Sequence, residues 1–232
     1  MRLTPATQNR LLAALPAEDY ESLRGDLSMV QLKSREHIAF PDESIDRVYF
    51  PRNAVLSMLV LMEDGRSVES AAVGNEGLIG LEVFLGDGLA RDEIIVQIAG
   101  DALSMSATAF RAAVARSVAL QQLLQRYSLA LMNQLARTAG CNRVHSVDAR
   151  CARWLLMSQD RVGRDQFQLT HEFLAKMLGV RRASVSQAAE LLQRAGLIEY
   201  RQGWIHIVDR NGLEAAACED YRLTRLAYDQ LY

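Results

Sequence analysis

The stretch 169–199 constrains this chain more than any other, because it reads as two short helices joined at Gly179. Phe173, Leu174, Met177 and Leu178 recur at helical spacing in its first half, and Val185, Ala188, Ala189 and Leu192 in its second. Thr170 stands at an N-cap position, and Glu172 lies in the first turn, where a helix N-terminus favours an acid. Ala175 is small where two helices must approach, and Gly179 supplies the left-handed backbone of a tight turn. The outward side of the second helix carries Arg182, Ser186, Gln187, Glu190 and Gln193. This is the pattern of a helix-turn-helix, whose second helix enters the major groove of duplex DNA. Residues 198–208 follow as a hairpin turning at Gln202 and Gly203, a wing beside that helix.

Charge supports the assignment. The whole chain has a net charge of −2, yet residues 141–210 hold 11 Lys/Arg and 7 Asp/Glu, a local net of +4. Residues 1–140 are net −4 and residues 211–232 net −2. Positive charge is thus confined to the segment that would meet phosphates. Within it, Arg182 and Gln187 are placed to read base edges, since guanidinium pairs with guanine and amide with adenine. Thr170, Arg181, Ser184 and, on the wing, Arg201 are placed to hold the phosphate backbone, and Ser186 shares the reading face.

The rest of the chain falls into two textures. Residues 3–24 read as helical, with Pro16 starting a second short helix. From 29 to 107 short β-type runs dominate, at 29–33, 37–40, 47–51, 54–62, 67–73, 94–99 and 102–106. Turn signals separate them, and many short strands at this spacing predict a jelly roll or barrel. From 107 to 139 helical periodicity returns with apolar residues on more than one face, in a rod of about 45 Å. Leu120, Leu124, Tyr127 and Leu131 fit a heptad seam, which predicts self-pairing into a homodimer; burial within one chain is the alternative. A further helix is expected near 146–160, a linker loop at 161–168, and a last helix from Asp209 to Leu231. The predicted class is α+β, with an N-terminal β-roll domain (1–107), a long dimerisation helix (108–140) and a winged helix-turn-helix domain (141–232).

Several function classes are set aside at this level. The longest apolar stretch, 54–62, is too short to span a bilayer, and the N-terminus lacks a signal-peptide core. A cytoplasmic protein with no membrane partner is therefore expected. Cys141, Cys151 and Cys218 are odd in number and lack zinc-type spacing, so buried reduced thiols are expected, with a thiol redox switch as the alternative. His145, His171 and His206 show no metal spacing, and His37 is the only histidine before residue 145. A metal-dependent jelly-roll enzyme needs histidine and carboxylate clusters, so no metal site, no catalytic residue and no enzyme activity are expected.

The order of β-roll, long helix and winged helix-turn-helix resembles the Crp/Fnr superfamily of bacterial transcription regulators. The resemblance is carried by Leu169-Thr170, by Leu174-Ala175, by the run Leu178 to Val185, by Leu191-Leu192 and by Gly196-Leu197-Ile198. In the β region it is carried by Gly65 and by the run Val73 to Gly80. It implies a cyclic-nucleotide-binding-like sensor domain, a small-molecule effector, double-stranded DNA and a second copy of the chain as partners, and contact with RNA polymerase. By position, the family's base-reading arginine falls on Arg182, and the next two readers of its cyclic-AMP-binding members on Ala183 and Gln187. The usual serine cap is replaced by Arg181.

The effector pocket implied by the resemblance comprises Gly80, Leu81, Arg91, Asp92 and Leu135. Leu81 stands where the ribose-holding glutamate belongs, and Asp92 where a serine belongs beside the phosphate-binding arginine. Glu82, one residue late in an expected strand, would face the opposite side. Leu135 and Ala136 replace the adenine-contacting hydroxyls. These departures argue against cyclic AMP and predict an Arg91–Asp92 ion pair. The absence of N-terminal cysteines argues against an iron–sulfur cluster, and His37 alone does not support haem. The cofactor or effector stays unidentified. A ligand-independent regulator, using its β-roll for dimerisation or polymerase contact, is the alternative.

Overall fold

The computed structural model describes residues 8–232; the earlier part of the predicted N-terminal helix lies outside them. Two short helices come first, α1 (Arg10–Ala13) and α2 (Ala17–Arg24), with Pro16 at the N-cap of the second. Asn9 caps α1 by accepting from Leu12 N (3.1 Å) and donates its amide to Pro51 O (2.9 Å) and Gly77 O (2.8 Å). One buried side chain thereby starts a helix and ties it to the strands.

The seven expected strands form within two residues of their predicted bounds: β1 (Ser28–Leu32), β2 (His37–Ala39), β3 (Arg47–Pro51), β4 (Val55–Leu61), β5 (Ser67–Val73), β6 (Glu93–Ile98) and β7 (Gly100–Ser106). They pair antiparallel in two sheets, ordered β1-β7-β3 and β2-β6-β4-β5. Phe50, Leu56, Val96 and Met105 are fully buried in the core they enclose. Between β5 and β6 the structure departs from expectation. Gly80, at φ +96°, turns the chain into a short helix, α3 (Glu82–Leu85), so Glu82 opens a helix instead of alternating in a strand.

The predicted rod from 107 is two helices, α4 (Ala107–Arg116) and α5 (Val118–Val144). Ser117 breaks it: its backbone is extended and its Oγ accepts from Leu120 N at 2.9 Å, an N-cap inside an apolar run. α5 is 27 residues long, about 40 Å. The expected seam is corrected here. Leu120, Leu124, Tyr127 and Leu131 are all buried against the β-roll within a single chain. Tyr127 Oη donates to Leu78 O (3.2 Å) and accepts from Leu78 N (3.3 Å). Its ring lies where any Cβ at Gly77 would collide, so glycine is required there.

The C-terminal part comprises α6 (Val147–Val162), β8 (Gln166–Gln168), α7 (His171–Leu178), α8 (Arg182–Arg194), β9 (Ile198–Arg201), β10 (Trp204–Ile207), α9 (Arg210–Ala216) and α10 (Asp220–Asp229). The expected linker contributes β8, which joins the wing in a sheet ordered β8-β10-β9. The expected last helix is interrupted between α9 and α10.

This part does not stand apart from the β-roll. Val55, Leu59, Ala72, Ile95 and Ile98 of the four-stranded sheet share one core with Trp154, Leu155, Leu174 and Leu178. Trp154 Nε1 donates to Glu69 (3.1 Å), and Gln97 donates to Ser158 Oγ (3.3 Å). Arg161 of α6 is buried, with Nε on Glu76 (2.7 Å) and a terminal nitrogen on Ala72 O (2.9 Å) and Gln134 of α5 (3.3 Å). Tyr228 of α10 donates to the same Gln134 oxygen at 2.9 Å. Arg161→Met, which leaves Glu76 buried and unpaired, should destabilise the protein by about 3–5 kcal/mol. Arg161→Met with Glu76→Leu should recover part of that loss. Urea denaturation of Arg161→Met, Glu76→Leu and the double variant checks this, and a double variant as unstable as the sum of its singles would remove the pair from the stabilising set.

Candidate nucleic-acid interface

The helix-turn-helix is built from local signals. Thr170 Oγ1 accepts from Phe173 N at 3.2 Å and caps α7, as its position predicts. Gly179 ends α7 at φ +63°, in the left-handed region where glycine is unstrained. α8 then starts at Arg182 with Arg181 at its N-cap and no side-chain cap bond. Val185, Ala188, Ala189 and Leu192 are buried, as the spacing predicts. At the wing Gln202 and Gly203 both have positive φ, +52° and +81°, the backbone of a two-residue hairpin turn.

The exposed side of α8 divides into free and occupied residues. Arg181, Arg182 and Gln187 are exposed, and so is Arg201 on the wing. None of these three arginines is in an ion pair among the described residues, so their charge is available to phosphates and base edges. Lys176 on α7 is exposed near them. Ser184 is half-buried at the start of α8. Ser186 is engaged within the protein, 3.0 Å from His171 Nδ1. Gln193 accepts from Tyr200 N at 2.9 Å, which clamps the wing to α8, and Glu190 pairs with Arg194. The roles of Ser186 and Gln193 were invisible to sequence reasoning, because their partners come from α7 and the wing, whereas Glu190 and Arg194 are an i,i+4 pair within α8 that the spacing allows. An exposed aromatic was also missed: Trp204, 50 % exposed, stands directly across the hairpin from Arg201.

His171 holds three elements together. It bonds Ser186 of α8 and stacks on Tyr200 of the wing with ring centroids 4.2 Å apart. Burial pushes its pKa down, and the neighbouring Arg182 guanidinium pushes it the same way. Its Nε2 is buried with no hydrogen-bond partner among the described residues, so a proton there has nothing to receive it.

A groove of about 1320 Å³ separates this face from the β4–β5 hairpin. Glu63 and Asp64 of the hairpin tip line it together with Lys176, Arg181 and Ser184. The residues placed to hold phosphates thus share a groove with an acidic loop, and Val68 of β5 sits directly against the turn at Gly179.

The residues named for an effector pocket are scattered. Gly80 and Leu81 are buried against the β-roll, with Ile45 and Val48 beside Gly80. Arg91 is exposed and pairs with Asp87 at 2.7 Å, which corrects the expected Arg91–Asp92 pair. Asp92 lies 3.4 Å from Ser70 Oγ, and burial raises its pKa. Leu135 is partly buried against the main core. Residue types that ligate metals converge elsewhere. Cys141, His145, Cys218 and Asp220 place one ligand atom each within 4.8 Å of one another, a grouping that their spacing in the sequence does not announce. The signal within reach of the sequence was Cys141 and His145 four residues apart; Cys218 and Asp220 come from a distant part of the chain.

Residues 149–216 match the family model of the Crp-like helix-turn-helix domain. No protein of curated function matches the sequence. Among solved structures the chain is similar to FixK2 from Bradyrhizobium japonicum, with 17 % identity, a TM-score of 0.67, and coverage of 83 % of this chain and 98 % of that one. It is similar to the c-di-GMP-responsive global regulator CLP from Xanthomonas campestris, with 14 % identity, a TM-score of 0.64 and coverage of 83 % and 99 %. It is also similar to a transcriptional regulator of the CRP family from Thermus thermophilus, with 23 % identity, a TM-score of 0.57 and coverage of 81 % and 96 %. At these identities the likeness is one of fold.

The depressed pKa of His171 sets a direction with pH. Stability from keeping it neutral is complete above the ordinary histidine value of about 6.5 and is lost as pH falls through it, because the unfolded chain then binds a proton the folded one refuses. His171→Gln removes that dependence. Thermal melts of the two proteins from neutral to mildly acidic pH should converge or cross as pH falls, and a constant gap would mean His171 titrates normally in the fold.

Proposed function

We propose that this chain, which carries a Crp-like helix-turn-helix domain on the fold of Crp/Fnr-type regulators, is a transcription regulator that binds DNA as a homodimer and has no enzymatic role. The observation that carries the reading is the exposed face of α8 and the wing: Arg181, Arg182, Gln187 and Arg201 are exposed, above a buried stripe of Val185, Ala188, Ala189 and Leu192. In this reading Arg182 and Gln187 contact bases. Thr170, Arg181, Ser184 and Arg201 hold phosphates, and Ser186 supports His171 instead of touching DNA. The operator is an inverted repeat with half-sites about one helical turn, ~34 Å, apart.

Dimerisation is assigned to a different stripe of α5 from the one periodicity suggested. Val118, Gln122, Gln125, Leu129, Met132, Ala136, Ala139 and Arg143 are all exposed and recur at alternating spacings of four and three. Val118, Leu129 and Met132 are each about two-thirds exposed, at 66 %, 69 % and 65 %. Apolar side chains at heptad spacing on an unburied helix face favour pairing with a second copy.

The signal that controls binding is an unidentified small-molecule effector acting on how the β-roll holds the C-terminal part, in a cytoplasmic protein that contacts RNA polymerase. Cyclic AMP is disfavoured by Leu81 and by the pairing of Arg91 with Asp87. One observation favours the ligand-independent alternative. Tyr127 occupies the space between α5 and Gly77 and bonds the backbone of Leu78. Calorimetry with nucleotides and with fractionated cell-extract metabolites separates the two readings: saturable heat from any fraction supports an effector, and none supports the ligand-independent alternative.

Arg182→Ala should weaken operator binding by about 1–3 kcal/mol and relax base preference, whereas Arg181→Ala should weaken all duplexes alike and reduce the salt slope by about one. Gel-shift titrations at several salt concentrations test both, and an Arg182→Ala protein with unaltered affinity and base preference refutes the assignment. Leu129→Glu with Met132→Glu should yield a folded monomer by analytical ultracentrifugation; an intact dimer would move the interface off this stripe.

A further inference from the structure

We propose that Cys141, His145, Cys218 and Asp220 form a tetrahedral site for a borderline-soft divalent cation, zinc by preference, at the joint between α5 and the C-terminal helices. Cys141 lies in the last turn of α5, and His145 is the residue at its C-cap. Cys218 lies in the turn between α9 and α10, and Asp220 is the first residue of α10. The two sulfurs are 3.4 Å apart, and His145 Nδ1 lies 3.3 Å from Asp220 Oδ2. Thiolate, imidazole and carboxylate ligands at about 2.0–2.3 Å around one tetrahedral zinc are separated by about 3.3–3.8 Å. These two spacings fall in that range before any ion is placed, and all four ligand atoms lie within 4.8 Å of one another.

The atoms that would not touch the ion are already held. His145 Nε2 lies 3.2 Å from Glu219, and Asp220 Oδ1 accepts from Arg137 at 3.1 Å. Carboxylates and cations in these roles orient the ligands of zinc sites. His145 Nδ1 is buried, close to Asp220 Oδ2 but without a hydrogen bond of good geometry among the described residues. An unsatisfied imidazole nitrogen beside two thiols and a carboxylate is the arrangement a cation completes. Both cysteines and Asp220 are buried, which excludes a site made only of surface acids. A surface cleft of about 380 Å³ lined by Cys218 and Glu219 gives access.

Binding balances in charge and protons. The cation takes two thiolates, one carboxylate and a neutral imidazole, and the two thiol protons leave to solvent. The ion would then fasten the end of α5 to the α9–α10 turn. This inference rests on the cluster alone and does not depend on the DNA-binding reading.

The test is a cobalt(II) titration of the full-length protein, reduced and stripped with chelator. One ion per chain is expected, with thiolate-to-cobalt charge-transfer bands in the near ultraviolet and the intense visible bands of tetrahedral coordination. Zinc should displace the cobalt, and the thermal midpoint should rise with zinc and fall back with chelator. Cys218→Ser should lose a large part of the charge-transfer intensity, Asp220→Asn should weaken binding at least tenfold, and Cys151→Ser should change neither. The wild-type titration stands even if a ligand variant fails to fold. The proposal is overturned if the folded, reduced wild type gives no charge-transfer band, if the band survives in Cys218→Ser, or if the protein refuses cobalt and instead forms a Cys141–Cys218 disulfide in air.

Discussion

The buried guanidinium of Arg161 fixes how the two halves of this protein sit together. An arginine cannot shed its charge, so its removal from water must be matched by an ionised partner and by acceptors for its remaining protons. Glu76 of the β-roll supplies the charge, and Ala72 O and Gln134 of α5 take further protons. The β-roll, the long helix and the first helix of the DNA-binding half therefore meet at one side chain. Sliding α6 by an ångström would leave two charges imperfectly paired in the interior. The contact favours discrete arrangements over a continuum, which is the property a switching protein needs.

The docking has a cost for the function proposed. With Val68 against the turn at Gly179, the acidic tip at Glu63 and Asp64 lies across a groove from Arg181 and Ser184. Phosphates approaching those residues meet a like charge nearby. The acidic tip therefore opposes the phosphate contacts proposed for Arg181 and Ser184 for as long as the hairpin stays in this place. Any ligand or partner that distinguishes this placement from another would act as a regulator by that difference alone.

The sequence made the strands and the helix-turn-helix legible because their determinants are local. Alternation, Thr170, Gly179 and the Gln202–Gly203 turn each act within a few residues. The failures lie where the determinant is distant or ambiguous. α5 has apolar residues on two faces, and periodicity alone could not say that Leu124 and Tyr127 face the β-roll while Leu129 and Met132 face solvent. Ser117 was read as one more residue of a long helix, although a serine three residues before Leu120 is a cap signal. Strand β8 is only three residues long and exists because β10 offers it an edge. At the DNA face, Arg182 and Gln187 were legible as exposed, whereas Ser186 and Gln193 had partners from α7 and the wing that no sequence window contains. The cysteine–histidine–aspartate cluster escaped for the same reason, its two sulfurs being 77 residues apart.

The end of α5 is where these threads join. Asn142, in its last turn, accepts from Arg150 of α6 at 2.7 Å, and the same guanidinium nitrogen donates to Leu178 O at the end of α7. Arg137, one turn earlier, bonds Asp220 at the start of α10. A rotation or shift of α5 thus reaches the helix-turn-helix through two hydrogen bonds on a single residue, with no long relay. Because the outward stripe of α5 is unburied in one chain, a partner helix packed there would set the register of Asn142 and Arg137 directly. If two chains pair there, as proposed above, pairing and the orientation of α8 would be one mechanical variable, with Arg150 as the link between them.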